Sequence, residues 1–277
     1  MNPRANPVVI TGGTRGLGLS HAKRLAADGY SLAIIDLSRD AGLVYGESSS
    51  EDVIRNDLMN LGSDRVEFYE CDLTNEPDTL KVFERIVLDF GRIGGLIANA
   101  GGDVKGTDHQ AAGGKPPENS LFIALDHHDQ VFDRNYRTCL NCLRAVIPHM
   151  KVNSYGKIVT TASVSAGFGV AQETTYSVAK AAVIHLTRSA ASELRDHDIC
   201  VNCIAPGATL TGRFKASISE RTEVDQVKIM ATNASFLRKP ANPAYVSSVV
   251  SFLVSEDSDY ITGQVVRIDG GQFTSPI

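Results

Sequence analysis

Tyr176 and Lys180 stand four positions apart in the stretch TYSVAK. On a helix the phenol and the ammonium would therefore share one face. A phenol is a poor proton carrier at neutral pH, with an ordinary pKa near ~10. Bringing it to ~7 requires about 4 kcal/mol. A cation ~4 Å away is worth roughly 4 kcal/mol at an effective dielectric near 20. The pair could then move a proton at neutral pH, although the same pattern on a lone helix is usually a solvated surface. Ser163, thirteen residues before Tyr176, ends an apolar run and could meet an oxygen on which negative charge develops.

A second constellation lies near the N-terminus. Gly12, Gly16 and Gly18 in TGGTRGLG, Thr11 to Gly18, have the spacing G-x-x-x-G-x-G. Glycine allows a tight turn and close approach of a ligand to the backbone. The helix that follows would aim its first N–H groups at an anion such as a pyrophosphate. Asp36 ends the next apolar run, 18 residues after Gly18. A carboxylate there accepts bonds from the ribose 2′- and 3′-hydroxyls of a dinucleotide and repels a 2′-phosphate, which favours NAD over NADP. Arg15 and Arg39 pull the other way, since either could pair with that phosphate.

These groups need a scaffold to bring them together, and the pattern of the chain supplies one. Short apolar runs alternate with helical stretches from NPVVITGG to GQVVRIDGG, giving seven strands separated by helices. That order predicts an α/β fold, a doubly wound Rossmann-type seven-stranded parallel sheet with helices on both faces. Ligands of such sheets bind at the carboxyl ends of the strands. The glycine turn, Asp36, Asn99, Ser163 and Pro206-Gly207 all fall there. No repeat or linker divides the 277 residues, so one domain is expected, with a cofactor half over 1–150 and a reacting half over 151–277. Three connections are long, at 38–50, 102–125 and 211–242, the last resembling a lid.

Composition excludes several classes. Net charge is −5 with 21% charged residues and no basic block, so neither nucleic acid nor an anionic membrane is an expected partner. The first residues show no long apolar run, which reads as neither a signal peptide nor a spanning helix. Four of five cysteines form C-x-x-C pairs, Cys139/Cys142 and Cys200/Cys203. Zinc is one reading and buried thiols the other. Positions three apart on a strand face opposite ways, which counts against chelation by Cys200 and Cys203. No metal is expected. His127 and His128 read as first-turn residues of a helix capped by Asp126. His109 lies in a loop expected to overhang the site. Arg213, Lys215 and Arg221 could grip an anionic substrate, or form a mixed solvated lid with Glu220, Glu223 and Asp225.

In order along the chain, TGGTRGLG, CDL with Asp72, NAG at Asn99 to Gly101, Asn135, Ser163, YSVAK, Pro206-Gly207 with Thr211, and ITGQVVRIDGG resemble the short-chain dehydrogenase/reductase family over nearly the whole length. The resemblance implies a hydride-transferring oxidoreductase acting on a secondary alcohol or ketone with NAD, or less readily NADP. Tyr176 would be the general acid/base and Lys180 its partner. Ser163 would hold the substrate oxygen, and Asn135 would support a proton relay to the lysine. Gly12, Thr14, Arg15, Gly16, Leu17 and Gly18 would cradle the dinucleotide. Asp36 and Leu37 would lie at the ribose, and Asp72 and Leu73 beside adenine. Asn99, Ala100 and Gly101 would wall the cleft. Pro206, Gly207, Thr209 and Thr211 would flank the nicotinamide. A homotetramer is implied, and the N-terminal residues, with no long apolar run, lead to the expectation of a cytoplasmic protein.

Two alternatives stay open: a catalytically silent nucleotide-binding regulator, and an epimerase or dehydratase on the same fold. Relative to the family the stretch after Asp36 is longer by roughly ten residues, an extension that accompanies tightly held cofactor in some NAD-using relatives. The stretch after NAG is longer by about a dozen and is expected to border the substrate entrance.

Overall fold

The computed structural model describes residues 6–274 apart from 39–40, 48–49, 104–118, 170, 172, 220–222, 224–226, 228–229 and 231–234. Arg39, His109, Glu220, Arg221 and Asp225 therefore lie outside the described residues.

Seven strands form one sheet: β1 Val8–Thr11, β2 Leu32–Asp36, β3 Val66–Glu70, β4 Gly95–Ala98, β5 Gly156–Thr161, β6 Ile199–Pro206 and β7 Val265–Ile268. The order is β3-β2-β1-β4-β5-β6-β7, and every pairing is parallel. Helices cover both faces, so the strands read as continuous apolar runs rather than alternating ones. β1, β4 and β5 are buried at every position. The winding direction reverses between β1 and β4, which opens a crevice at their carboxyl ends.

One face carries α1 Gly16–Ala27 and α2 Glu51–Leu61, together with a C-terminal helix, α8, Pro243–Val254. Leu25, Ile54, Leu58, Val250 and Leu253 there pack on Ile10 and Leu32. The other face carries α3 Glu76–Phe90, α5 Thr138–Asn153 and α6 Thr174–Leu194. Phe83, Ile86, Leu143, Val146 and Val183 close that layer. Each buried apolar side chain contributes roughly 1.5–3 kcal/mol, so the two layers hold the sheet between them.

Local signals set the helix ends. α1 stops where Gly29, at φ +85°, lets its own N–H reach Ala26 O and the Tyr30 N–H reach Leu25 O. Asn75 and Asn242 cap α3 and α8 by accepting from Asp78 N and Ala244 N. Asp126 does not act as a cap, contrary to expectation. α4 runs Leu125–Phe132, so Asp126 lies inside the first turn with His127 and His128. The long helix expected from Asp126 onward is α4 and α5 joined by one π-turn, Asp133–Arg137. Two of the long connections carry short elements that periodicity missed. These are a 3-10 turn at Ala41–Tyr45 and a helix, α7, at Gly212–Ser219.

Candidate active site

A cleft of about 590 Å³ opens above the β1/β4 crevice, a size typical of small-molecule sites. Its floor begins at the glycine turn. Gly16 adopts φ +55°, a conformation that side chains disfavour. A Cβ at Gly18 would collide with the Gly12 carbonyl and lie 2.9 Å from Asn99 Nδ2. The turn thus closes only without a side chain there, and it aims the start of α1 into the cleft.

Asn99 ties the two strands of the crevice together. Its Nδ2 donates to Thr11 O at 3.1 Å, and the Asn99 and Ala100 amides both donate to Thr11 Oγ1 at 3.0 Å. At one end of the cleft, Asp36 Oδ2 accepts from Thr14 N at 3.1 Å and Thr14 Oγ1 at 2.6 Å. Its Oδ1 accepts from Leu37 N at 2.9 Å. Asp72, also on that wall, accepts from Thr74 N and Oγ1 at 2.9 and 2.7 Å.

At the other end Tyr176, Lys180 and Ser163 face the same space. The helix α6 places the Lys180 ammonium 5.8 Å from the centre of the Tyr176 ring. Lys180 Nζ donates to Thr161 O at 2.8 Å. Ser163 Oγ is 2.8 Å from Ser165 Oγ. Burial lowers the Lys180 pKa to about 8; nearby Cys139 and Cys203 oppose that shift and Arg213 adds to it. Burial raises the Tyr176 pKa to about 12, with the Ser163 hydrogen bond pulling down, Asp103 and Glu173 pushing up, and Arg213 pulling down. The phenol is thus displaced away from neutrality, opposite to the shift expected from a lysine neighbour. The reason is that burial penalises the phenolate more than the Ser163 hydrogen bond and Arg213 favour it. Depression of Tyr176 needs further positive charge in the cleft.

Asn135 is buried behind the cleft wall, in the π-turn. Its Nδ2 donates to Val131 O at 2.7 Å and Gly102 O at 3.0 Å, and its Oδ1 accepts from Gly102 N at 2.8 Å. The side chain takes the hydrogen bonds that the widened turn gives up, and it fixes the segment after NAG. Thr14 and Gly18 also stand behind the lining. The remaining expected residues line the cleft: Gly12, Arg15, Gly16, Leu17, Asp36, Leu37, Asp72 and Leu73 on one side, then Asn99 to Gly101, Pro206, Gly207, Thr209 and Thr211. The Thr211 hydroxyl accepts from Phe214 N at 3.2 Å and starts α7.

Sequence reasoning missed several lining residues. Gln130 and Arg134 were legible in principle, since they precede Thr138 at steps of four on one helical stripe. Asp103, Glu47 and Tyr45 carry no such signal. Arg213 turns inward and donates to Asp103 O, whereas Lys215 is exposed. Cys71, Cys139, Cys142 and Cys203 are buried free thiols. No group of three or more metal-ligating side chains occurs among the described residues.

The arrangement fits a dinucleotide. The collision-limited glycine turn, the first-turn amides of α1 and the fixed carboxylate of Asp36 match a diphosphate and a ribose diol in turn. Comparison with known proteins agrees. The family model described as Enoyl-(Acyl carrier protein) reductase matches residues 12–272. The chain is 30% identical over 275 residues to a cyclohexanol dehydrogenase of Rhodococcus sp. (strain TK6), covering 97% of this chain and 96% of that one. It is 32% identical over 270 residues to levodione reductase of Leifsonia aquatica, covering 96% and 93%. The solved structure of an NAD+-bound xylitol dehydrogenase superposes with a TM-score of 0.81 at 26% identity, covering 98% of this chain and 100% of that one.

Proposed function

Because the chain belongs to the short-chain dehydrogenase/reductase family, we propose that it interconverts a secondary alcohol and its ketone with NAD(H), using Tyr176 as the proton carrier. The observation that carries this reading is the convergence of Tyr176, Lys180 and Ser163 on the cleft that the glycine turn and Asp36 also line.

A bound nicotinamide supplies the hydride acceptor or donor. Ser163 Oγ donates to the substrate oxygen and holds it beside the phenol. In ketone reduction Tyr176 Oη gives its proton to that oxygen as negative charge builds on it. In alcohol oxidation the phenolate takes the proton back. Lys180 holds its ammonium 5.8 Å from the centre of the Tyr176 ring, where it favours the phenolate, and would be the residue to hold the nicotinamide ribose. Asn135 keeps the 101–102 backbone and the π-turn in place, and it supports the path by which Lys180 exchanges protons with water.

NAD is preferred over NADP in this reading. Three hydrogen bonds hold the Asp36 carboxylate, so it cannot swing aside for a 2′-phosphate without losing all three. The competing cation, Arg15, lies over the Tyr45 ring at 5.1 Å. Asp36→Ala is expected to bring the kcat/KM ratio of NAD to NADP from well above one to near or below one. An unchanged ratio would overturn the preference.

The single sheet supports one domain with a cofactor half at about 1–150 and a reacting half at about 151–277. The free thiols fit a reducing, cytoplasmic setting. No described helix is long and apolar enough to cross a membrane. A homotetramer is the proposed assembly, checked by analytical ultracentrifugation. The function itself is tested by oxidation and reduction of a panel of alcohols and ketones with NAD and NADP in parallel, Tyr176→Phe serving as control. Binding of NADH without any turnover across the panel would favour a silent regulator instead.

A further inference from the structure

The insertion after Asp36 does more than lengthen a loop. Glu47 Oε2 accepts a hydrogen bond from Gly16 N at 3.0 Å, and its Oε1 accepts one from Gly212 N. Gly16 is the first residue of α1, and Gly212 is the first residue of α7. First-turn amides have no partner within their own helix and lie at the positive end of its dipole. They are the groups that a phosphate would take. One side-chain carboxylate therefore sits on two helix N-termini at the mouth of the glycine turn.

The surrounding contacts hold it there. Arg15, from the glycine turn, lies over the Tyr45 ring. A Cβ at Gly212 would come within 2.6 Å of Glu47 Cγ and 2.7 Å of Tyr45 Cβ, so residues 41–47, a strap across the cleft, pack directly on the start of α7. Ala41, at the far end of the 3-10 turn, is buried. The strap thus reaches from the Asp36 end of the cleft to the lid helix and crosses the position between them.

We propose that Glu47 is an internal stand-in for the cofactor's diphosphate, and that the strap must leave the cradle before a dinucleotide can bind. The proposal rests on reading the cleft as a dinucleotide site. A diphosphate and a carboxylate cannot both take these two amides, because each N–H is already directed at a Glu47 oxygen and two anions held there would repel each other. Since the same carboxylate holds α1 and α7, entry of the diphosphate frees the start of the lid helix in the same event. The strap lowers the apparent affinity by the ratio of closed to open forms. A closed form favoured about ten to one weakens binding about tenfold.

The test uses the full-length, cofactor-free protein with NADH, ADP-ribose and adenosine as probes, and Glu47→Ala and Glu47→Gln as variants. Gln keeps the volume of Glu and serves as the fold-preserving variant, with circular dichroism and melting curves as controls. Dissociation constants are measured by fluorescence or calorimetry, so no turnover is needed. The expected result is tighter binding of NADH and ADP-ribose, on the order of tenfold for Glu47→Ala and less for Glu47→Gln, with adenosine unchanged because it carries no phosphate. Equal constants for wild type and variants would overturn the proposal, as would weaker binding by the variants, which would make Glu47 a cofactor ligand. If no protein binds NADH or ADP-ribose, the dinucleotide reading falls too, and that outcome is distinct from equal but measurable binding.

Discussion

The proton carrier and its lysine are tuned by burial more than by each other. Tyr176 lies at about 12 and Lys180 at about 8, both displaced toward their neutral forms. The direction of catalysis should therefore show in the pH dependence. Alcohol oxidation needs the phenolate, so its kcat/KM should rise with pH until the phenol of the free enzyme has ionised. Ketone reduction needs the phenol, so it should hold at neutral pH and fall only at alkaline pH. Profiles that run the other way would remove Tyr176 from the role. Lys180→Ala should move the oxidation limb to higher pH, because the cation that favours the phenolate is gone. Tyr176→Phe should lower turnover by on the order of 10² to 10⁴ with little change in the NADH dissociation constant, since the ring remains and only the hydroxyl is lost. A comparable loss of NADH binding would mean that the hydroxyl serves binding rather than proton transfer.

The elements explain how distant residues meet. Much of this was legible in the sequence. Seven apolar runs gave the strands, and the glycine spacing marked the turn between β1 and α1. Asp36, Asn99 and Ser163 stood at run ends, which is where a parallel sheet collects its ligands. The π-turn was not legible, because residues 133–137 keep the helical pattern of their neighbours and the extra residue shows only in the hydrogen bonding, where the Thr138 N–H reaches Asp133 O and Asn135 Nδ2 reaches Val131 O. The strap and α7 were also hidden. Each is held by tertiary partners, Glu47 and Arg15 among them, rather than by its own periodicity. Two substitutions probe the elements. Asn135→Ala removes bonds to Val131 and Gly102 inside a buried segment, and should cost roughly 1–3 kcal/mol in unfolding free energy together with a fall in kcat. Asn135→Asp should rescue neither fully, since it cannot donate to the Val131 and Gly102 carbonyls. Gly18→Ala should abolish NADH binding with smaller loss of helix content. Its Cβ would collide with the Gly12 carbonyl, and only a reshaped turn, measurable as lost binding in a titration, could relieve that.

At the scale of the whole molecule, stability depends on keeping polar groups neutral where the layers close. His21 lies wholly buried where α1 meets α8, with Nδ1 2.9 Å from Ser247 Oγ. Its Nε2 has no hydrogen-bond partner among the described residues. Burial lowers its pKa from 6.5 to about 3. The unfolded chain, with an ordinary histidine, binds more protons than the native one throughout that interval. Stability must therefore fall as pH drops below about 6.5 and go on falling toward pH 3. At ~1.36 kcal/mol per unit the full interval amounts to on the order of 5 kcal/mol, comparable with the lower end of the net stability of a domain. Between pH 7.5 and pH 5 the histidine alone should remove about 2 kcal/mol. Lys180 acts with the same sign, since its pKa is also lowered, but its window runs from about 8 to 10.5. A comparison confined below pH 7.5 thus isolates the histidine. His21→Gln carries no titratable ring, so its urea-unfolding free energy should change much less between pH 7.5 and pH 5 than that of the wild type. An equal drop in both proteins would assign acid lability to the carboxylates instead and leave His21 a packing residue.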